Sequence, residues 1–395
     1  MKKGKTIAEI LLILLFAVSL FLFWLGPILG GKELSETENR ALTAFPDLTL
    51  QGFTEKTFQD DLENALGDRL LGSEEIRSAV RDGEAAILEW EQALLYRLNP
   101  RLKDGYVQIA EGYYAYDGDE HRIVEKPLAY SQPAEELAAF AREINGLPGV
   151  RKYLYFIENS RSVNFDRPEE NGKAYEWVCS FFRLDGRAEF AVPDYETYCR
   201  YFYQTDHHWN HLGSYRGYTE IVSMLKPGDP PVAPAGETET TVVFNGSYAR
   251  QTKSLRATEH FAVYDFALDR HAVTINGKRG TYGRLNAYIK GKYNDADLTN
   301  HYANCYGGEY GEIVYDFGDH GRGTLLLISS SYSNPINALI ASHFDQTYVI
   351  DLRYYEEYAG HPFRPAPYAA EHGVDTVLLL GDIQMFDEIG KGGDH

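Results

Sequence analysis

Residues 324–352 read TLLLISSSYSNPINALIASHFDQTYVIDL and decide the fold class. The apolar run 324–328 has the length and composition of a buried strand, and Ser329, Ser330 and Ser331 turn out of it. Asn334 followed by a proline predicts a helix start, with the helix running through Phe344. Residues 347–352 form the next apolar run. This strand–helix–strand order predicts two parallel strands joined by a right-handed crossover.

Four further apolar runs predict additional strands, at residues 152–157, 241–244, 272–275 and 375–380. Together with the crossover unit they predict an α/β fold: three layers, with a mainly parallel sheet between helices, built from residues 98–395.

Residues 203–211 read YQTDHHWNH, in which one aspartate and three histidines fall within six positions. Asp206 and His208 are two residues apart, so on an extended segment both side chains lie on the same side. A carboxylate beside an imidazole fixes its tautomer and stabilises the imidazolium, which suits a general base. Two other interpretations remain: a hydrogen-bonded surface turn, or a metal site that also uses His207 and His211, four residues apart. The metalloprotease pattern His-Glu-x-x-His is absent from the sequence.

Residues 210–225 predict a helix behind this motif. Asn210 is a suitable N-cap and Pro227 follows the end. Apolar residues recur at spacings of three and four and predict the buried face: Leu212, Tyr215, Thr219, Val222 and Leu225.

Ser331 is the candidate nucleophile, because it lies where a parallel strand ends and a helix begins. Ligands of open α/β sheets bind beyond the carboxyl ends of the strands, and backbone N–H groups there can stabilise an oxyanion. A serine hydroxyl needs a base to remove its proton, and His208 with Asp206 would supply one. The alternative is a serine-rich capping turn without chemistry.

The chain has 395 residues, of which 44 % are hydrophobic, and a net charge of −20. This composition predicts a packed globular protein, and the negative charge argues against a nucleic-acid partner.

The amino terminus predicts a membrane anchor. Lys2, Lys3 and Lys5 precede an uncharged apolar run at residues 10–29, long enough to cross a bilayer as a helix. The lysines predict a cytoplasmic amino terminus, with the main domain extracellular or periplasmic. A cleaved signal peptide is the alternative, although no clear cleavage site follows.

The predicted organisation is therefore a tail and anchor at residues 1–30, a connector and helical stalk at 31–97, and the α/β domain at 98–395. Ser73 predicts an N-cap within the stalk. Export would permit one disulfide, for which Cys179 and Cys199 are the most local pair, leaving Cys305 unpaired.

These residues carry a resemblance to a known family. Residues 205–209, TDHHW, match the motif of the DHHW family, which is similar to the alginate O-acetyltransferase-like branch of the SGNH hydrolases. Weaker matches occur in order along the chain: ENR at 38–40 with Pro46, FNGS at 244–247, SYSN at 331–334 and VIDLRYY at 349–355.

The resemblance implies an SGNH-hydrolase-like domain in which Ser331 is the nucleophile, His208 the base and Asp206 its orienting carboxylate. Arg353, and secondarily Asn334, would contact the oxyanion or the substrate. Relatives carry Asp-Ser or Gly-Asp-Ser at the nucleophile, whereas this chain has Ser329-Ser330-Ser331.

The implied function is serine-dependent O-acetyl transfer or acetyl ester hydrolysis on a cell-envelope or exported polysaccharide. No metal and no cofactor are implied, and a membrane acyltransferase would supply the acyl group. The alternative function, suggested by Ser329-Ser330, is a catalytically impaired envelope protein that binds glycan or an assembly partner.

Overall fold

The structure is a computed structural model that describes residues 34–35, 40–41, 105–128, 134–280, 300–306 and 310–390. The chain divides into two compact units, Met1–Leu98 and Asn99–His395. In the first unit, strands β1 (Leu34–Ser35) and β2 (Arg40–Ala41) pair antiparallel. The helical part of the segment predicted at residues 31–97, including its N-cap Ser73, lies outside the described residues.

The prediction of a single-pass membrane protein is contradicted. Within the described ranges, no helix is both long and apolar enough to cross a bilayer. The longest helix there has 15 residues, fewer than the roughly 20 that a membrane span needs. The apolar run 10–29, on which that prediction rested, is not among the residues described.

The second unit is built around one large sheet. Its strands are β6 (Arg151–Ile157), β7 (Gly186–Phe190), β10 (Ala272–Ile275), β11 (Lys278–Gly280), β12 (Glu312–Asp316), β13 (Thr324–Ser329), β14 (Gln346–Ile350) and β15 (Thr376–Gly381). Smaller sheets pair β3 (Tyr106–Ala110), β4 (Tyr113–Tyr116) and β5 (Val124–Glu125), and β8 (Gly236–Val243) with β9 (His260–Asp265).

The order across the large sheet is β11-β10-β12-β14-β13-β15-β6-β7. The five strands from β14 to β7 are parallel, and β12, β10 and β11 continue the sheet with antiparallel pairings. The protein is therefore mixed α/β with a large, mostly parallel sheet, as the crossover unit predicted.

Ten helices accompany these strands in the described ranges: α1 (Glu135–Asn145), α2 (Lys173–Cys179), α3 (Tyr195–Tyr201), α4 (His211–Leu225), α5 (Ser247–Thr252), α6 (His301–Tyr306), α7 (Asn337–Ala341), α8 (Leu352–Ala359), α9 (Pro365–His372) and α10 (Ile383–Gly390).

Strand β13 shows how the layers form. Leu325 and Leu327 enter the apolar cluster that contains residues of α3, α4 and α7, whereas Leu326 and Ile328 enter the cluster that contains residues of α1, α2, α8, α9 and α10. Alternate residues of a strand point to opposite faces of a sheet, so an uninterrupted apolar run is buried on both faces. Each such leucine contributes about 1.5–3 kcal/mol by leaving water.

Helix α4 begins after Asn210, as predicted, and the Asn210 side chain accepts a hydrogen bond of 3.0 Å from the Gly213 N–H. Of its predicted buried face, Val222 and Leu225 are buried, whereas Leu212 is 36 % exposed. Gly213 and Gly217 are buried as well, and a Cβ on Gly217 would lie 2.5 Å from the Trp209 ring. The apolar pattern overlooked these two positions because glycine has no side chain.

The predicted helix after β13 starts later than expected. A 3₁₀ turn, Ser331–Ser333, comes first, and α7 covers only Asn337–Ala341, with Ile336 at its N-cap. Asn334 is therefore not the N-cap of α7 but the C-cap of the 3₁₀ turn, and its backbone N–H donates to the Ser331 carbonyl at 3.2 Å.

The predicted disulfide does not form, because all three cysteines are free thiols. Cys179 packs in the cluster on one face of the sheet, whereas α3, which carries Cys199, places Tyr198 in the cluster on the other face.

Candidate active site

The structure brings Asp206, His208 and Ser331 into one hydrogen-bonded chain. His208 Nδ1 lies 2.6 Å from Asp206 Oδ1, and His208 Nε2 lies 2.7 Å from Ser331 Oγ. An ionised carboxylate can only accept, so Nδ1 carries the proton and Nε2 is left to accept the serine O–H. All three residues are buried, with Ser331 the most exposed at 9 %.

Asp206 is held by three donors. Its Oδ1 accepts from the backbone N–H of His208 at 3.0 Å as well as from the ring, and its Oδ2 accepts from the Ser247 N–H at 2.6 Å. Gly246 makes this approach possible, since a Cβ there would lie 2.4 Å from Asp206 Cβ. The FNGS segment at 244–247 therefore holds the Asp206 carboxylate in position.

The charge state of the pair follows from its surroundings. Burial alone would raise the pKa of Asp206, but the His208 and His207 imidazoles and the hydrogen bond from His208 together hold it below its ordinary value. Burial, and then the neighbouring His208, keep the pKa of His207 well below its usual range. Asp206 is thus an anion beside a neutral His207.

Two rings pack against His208. The Tyr302 ring stacks on it at a centroid distance of 3.8 Å and an interplanar angle of 12°, and the His207 ring lies at 3.9 Å. Tyr302 also donates its hydroxyl to the Ser331 carbonyl at 2.9 Å. One residue of α6 therefore contacts both the imidazole and the serine turn.

Tyr332, the residue after Ser331, joins the serine turn to the histidine loop. Its carbonyl accepts from the Trp209 indole N–H at 3.0 Å, and its hydroxyl donates to the His207 carbonyl at 2.6 Å. The same hydroxyl accepts from Asn159 Nδ2 at 2.6 Å. The relative position of the two segments is thus set by hydrogen bonds as well as by packing.

A buried polar network lies at the carboxyl ends of β6 and β15. Asn159 Nδ2 also donates to Asp382 Oδ2 at 2.8 Å, and Arg161 contacts the same oxygen at 3.3 Å. Arg161 further pairs with Glu125, which accepts the Tyr248 hydroxyl at 2.6 Å. These side chains keep their donors and acceptors satisfied, as buried polar groups require.

The structure places Arg353 in α8 and Asn334 at the end of the serine turn, where the Asn334 backbone N–H donates to the Ser331 carbonyl at 3.2 Å. Arg353 makes a two-point ion pair with Asp351, at 3.0 Å from Nε to Oδ1 and 2.7 Å from the terminal nitrogen to Oδ2. It also lines a cavity of about 230 Å³ beside Ser329 and Ser330. Its predicted contact with substrate or oxyanion stays a prediction, as does that of Asn334.

Of the four ligands in the metal interpretation, only three lie close together. Donor atoms of Asp206, His207 and His208 lie within 4.8 Å of one another. His211 is turned away, with Nε2 at 3.1 Å from Glu237 Oε1, because it begins α4 while His207 precedes the cap. Both ring nitrogens of His208 are hydrogen-bonded, so ligation by this residue would displace its bond either to Asp206 or to Ser331.

Several residues of this site were not predicted from the sequence. Asn159 could have been found, since it follows a strand at the sheet edge where ligands bind. Ser247 belongs to the FNGS match at 244–247, which carried no role for it, and Tyr302 carries no local signal because only the tertiary fold brings it to the motif.

No family model and no curated protein matches the sequence. Among solved structures, a DHHW family protein from Eubacterium siraeum DSM 15702 superposes with a TM-score of 0.55 at 16 % identity, covering 73 % of this chain and 97 % of the other. Bacillus cereus PatB1 with a sulfonyl adduct gives 0.49 at 18 % identity, covering 69 % and 96 %. The O-acetyltransferase domain of Pseudomonas putida AlgJ gives 0.36 at 13 % identity, covering 72 % and 92 %.

The first of these likenesses spans nearly all of the other protein, and it agrees with the resemblance carried by residues 205–209. At this level of identity it concerns the fold. This chain therefore shares its fold with a DHHW family protein.

Proposed function

We propose that the protein is a serine-dependent O-acyltransferase or acyl esterase that acts on a polysaccharide. The observation that carries the proposal is the hydrogen-bonded chain from Asp206 through His208 to Ser331, with distances of 2.6 and 2.7 Å. The acetyl group and the polysaccharide acceptor follow from the resemblance of residues 205–209 to the DHHW family.

In the first step, Ser331 Oγ attacks the carbonyl carbon of the acyl donor while its proton passes to His208 Nε2. The tetrahedral intermediate collapses as the bond to the leaving group breaks and the leaving oxygen takes that proton. The product is an acyl-serine. Asp206 stabilises the transient imidazolium, which is a reason for the protein to keep this carboxylate ionised although it is buried.

In the second step, a hydroxyl of the glycan gives its proton to His208 Nε2 and attacks the acyl carbon. The proton returns to Ser331 Oγ as the serine leaves. Water in place of the glycan hydroxyl gives an esterase. The backbone N–H groups of Ser331 and Tyr332, at the start of the 3₁₀ turn, are the donors that we assign to the oxyanion.

The test is covalent labelling of the full chain. Incubation with p-nitrophenyl acetate is expected to add the mass of one acetyl group to Ser331, and an oligosaccharide acceptor should shorten the lifetime of this adduct. Ser331→Ala and His208→Ala should each lower turnover by about 10³-fold or more.

Ser330→Ala is the matched control, because it removes the adjacent hydroxyl, which has no hydrogen-bond partner among the described residues. Retention of acetylation in Ser331→Ala would overturn the proposal. Glycan binding without any adduct in the unmodified chain would also overturn it, in favour of a non-catalytic glycan-binding protein.

A further inference from the structure

A second, larger cavity lies against α8 and α9, away from the residues of the proposed reaction. Its volume is about 610 Å³, and it is lined among others by Glu312, Tyr355, Tyr358, Tyr368, Glu371 and His372. We call it the α8–α9 cavity. Glu312 begins β12 and pairs with Ile350, the last residue of β14, so it lies at the edge of the sheet where the parallel strands end.

Glu312 is held in place by the tyrosines around it. Its Oε1 accepts from the Tyr358 hydroxyl at 3.2 Å and its Oε2 from the Tyr368 hydroxyl at 2.5 Å. Each carboxylate oxygen has about two acceptor positions, so each keeps one for another donor. The cavity therefore offers an oriented acceptor whose position does not depend on a ligand.

The aromatic residues form a packed wall. The Tyr368 ring lies 6.2 Å from Tyr355 at an angle of 79° and 4.3 Å from His372. Tyrosine combines an apolar ring with a polar tip. A pyranose has the matching surface, with C–H groups on its faces and hydroxyls around its edge.

The charge around the cavity disfavours one class of sugar. Glu312, Glu371 and Arg364 line it, so carboxylates outnumber the guanidinium, and Arg364 lies 3.7 Å from a third carboxylate, that of Glu143. The chain as a whole carries −20. A uronate would bring a like charge, whereas a neutral sugar or one with a free amine brings donors that the carboxylates accept.

Helix α8 separates this cavity from the one beside the serine turn. Arg353 and Glu356 line the smaller cavity, next to Ser329 and Ser330, and Tyr355 and Tyr358 line the larger one. An α-helix with its side chains is about 10–12 Å across. A ligand that reaches from one cavity round α8 to the other must therefore be longer than a single sugar, that is, an oligomer.

We propose that the α8–α9 cavity binds a sugar unit without negative charge in the same glycan that is acylated at Ser331, some units away from the reacting hydroxyl. The identity of the ligand as a glycan rests on the proposed function. The cavity would select neutral or amine-bearing polysaccharides and would lower KM for oligomers relative to monosaccharides.

The test is calorimetric titration of the full chain with three soluble oligosaccharides of equal length: a neutral glucan, a glucosamine oligomer with free amines and a uronate oligomer. The neutral or the amine-bearing oligomer should bind and the uronate should not. Glu371→Gln, at an exposed position, should weaken binding by roughly tenfold through the loss of a charged acceptor. Tyr358→Ala should weaken it as well, and Glu371→Gln alone carries the test if that variant fails to fold.

Glu357→Gln is the matched control, because this exposed glutamate on the same helix does not line either cavity. It should leave the dissociation constant unchanged. The inference is overturned if Glu371→Gln binds as tightly as the unmodified chain, if the uronate binds best, or if no oligomer binds. The two proposals can fail separately. Ser331→Ala should abolish acyl transfer and keep oligomer binding. If the cavity does not bind the glycan, acetylation of Ser331 by p-nitrophenyl acetate is still expected.

Discussion

The indole N–H of Trp209 donates to the backbone carbonyl of Tyr332 at 3.0 Å, which connects the histidine motif directly to the residue after Ser331. Both side chains are at most 1 % exposed. The bond fixes the distance between the imidazole and the serine independently of Tyr302. It also gives the tryptophan of the motif a positioning role that hydrophobic burial alone would not require.

Trp209→Phe should therefore lower kcat by about tenfold while changing KM little, since misplacement of the base affects the reaction more than binding. Steady-state kinetics with p-nitrophenyl acetate measures both quantities. Trp177→Phe, on α2 and remote from the motif, is the control for the loss of an indole. Equal kcat values for Trp209→Phe and the unmodified chain would show that the bond does not position the base.

Asp206→Asn should lower turnover by about 10²- to 10⁴-fold, because an amide no longer fixes the imidazole tautomer or stabilises its cation. Ser247→Ala keeps the backbone N–H that donates to Asp206, so its turnover should fall far less than that of Asp206→Asn. Single-turnover acetylation followed by mass spectrometry compares the two variants. A loss smaller than about twofold in Asp206→Asn would remove the carboxylate from the mechanism.

Gly217→Ala should destabilise the protein, although alanine favours a helix over glycine by about 1 kcal/mol. The added Cβ would lie 2.5 Å from the Trp209 ring, and overpacking of a core costs about 1–3 kcal/mol. Ser223→Ala, at an exposed position of the same helix, should be neutral or slightly stabilising. Urea denaturation gives the unfolding free energies; a more stable Gly217→Ala would mean that the helix moves away from the indole at little cost.

Glu158 should make stability fall as pH rises. Burial raises the pKa of its carboxyl from 4.5 to about 7, although the Val192 and Gly172 N–H groups oppose the shift. Between these two values the unfolded chain releases the proton that the folded protein retains. This contribution is therefore complete below pH 4.5 and lost as pH rises through 7, with a slope of up to about 1.4 kcal/mol per pH unit.

Glu158→Gln should remove that slope, because glutamine does not titrate. Urea denaturation at about pH 5 and at about pH 7.5 gives two unfolding free energies, and their difference measures the pH dependence of stability. Most of the titration of Glu158 falls between these two pH values. Glu169→Gln, at an exposed position, is the control and should keep the slope of the unmodified chain. The same pH dependence in Glu158→Gln and in the control would assign the effect to another group.

The parallel strands were predictable because burial on both faces leaves an uninterrupted apolar run. Residues 152–157 and 324–328 were both found in this way. The part of the α4 face that contacts Trp209 was not, because Gly213 and Gly217 form it, and glycine does not contribute to an apolar pattern.

The individual members of the candidate triad were predicted from local chemistry, but their contact was not. His208 and Ser331 are 123 residues apart, and their meeting depends on a strand order that no local pattern contains. The ion pair of Arg353 with Asp351, by contrast, spans two positions, and the nearby carboxylate was visible in the sequence.

Strand β15 lies between β13 and β6, although it is the last of the five parallel strands along the chain. During synthesis on the ribosome, the half with β6 and β7 and the half with β13 and β14 therefore remain separate sheets with open edges until residues 376–381 emerge. Asp382, which follows β15 and accepts from Asn159 after β6, then connects the two halves. Open sheet edges can pair with other chains, so the strand order makes the nascent polypeptide most exposed to aggregation before β15 has been synthesised.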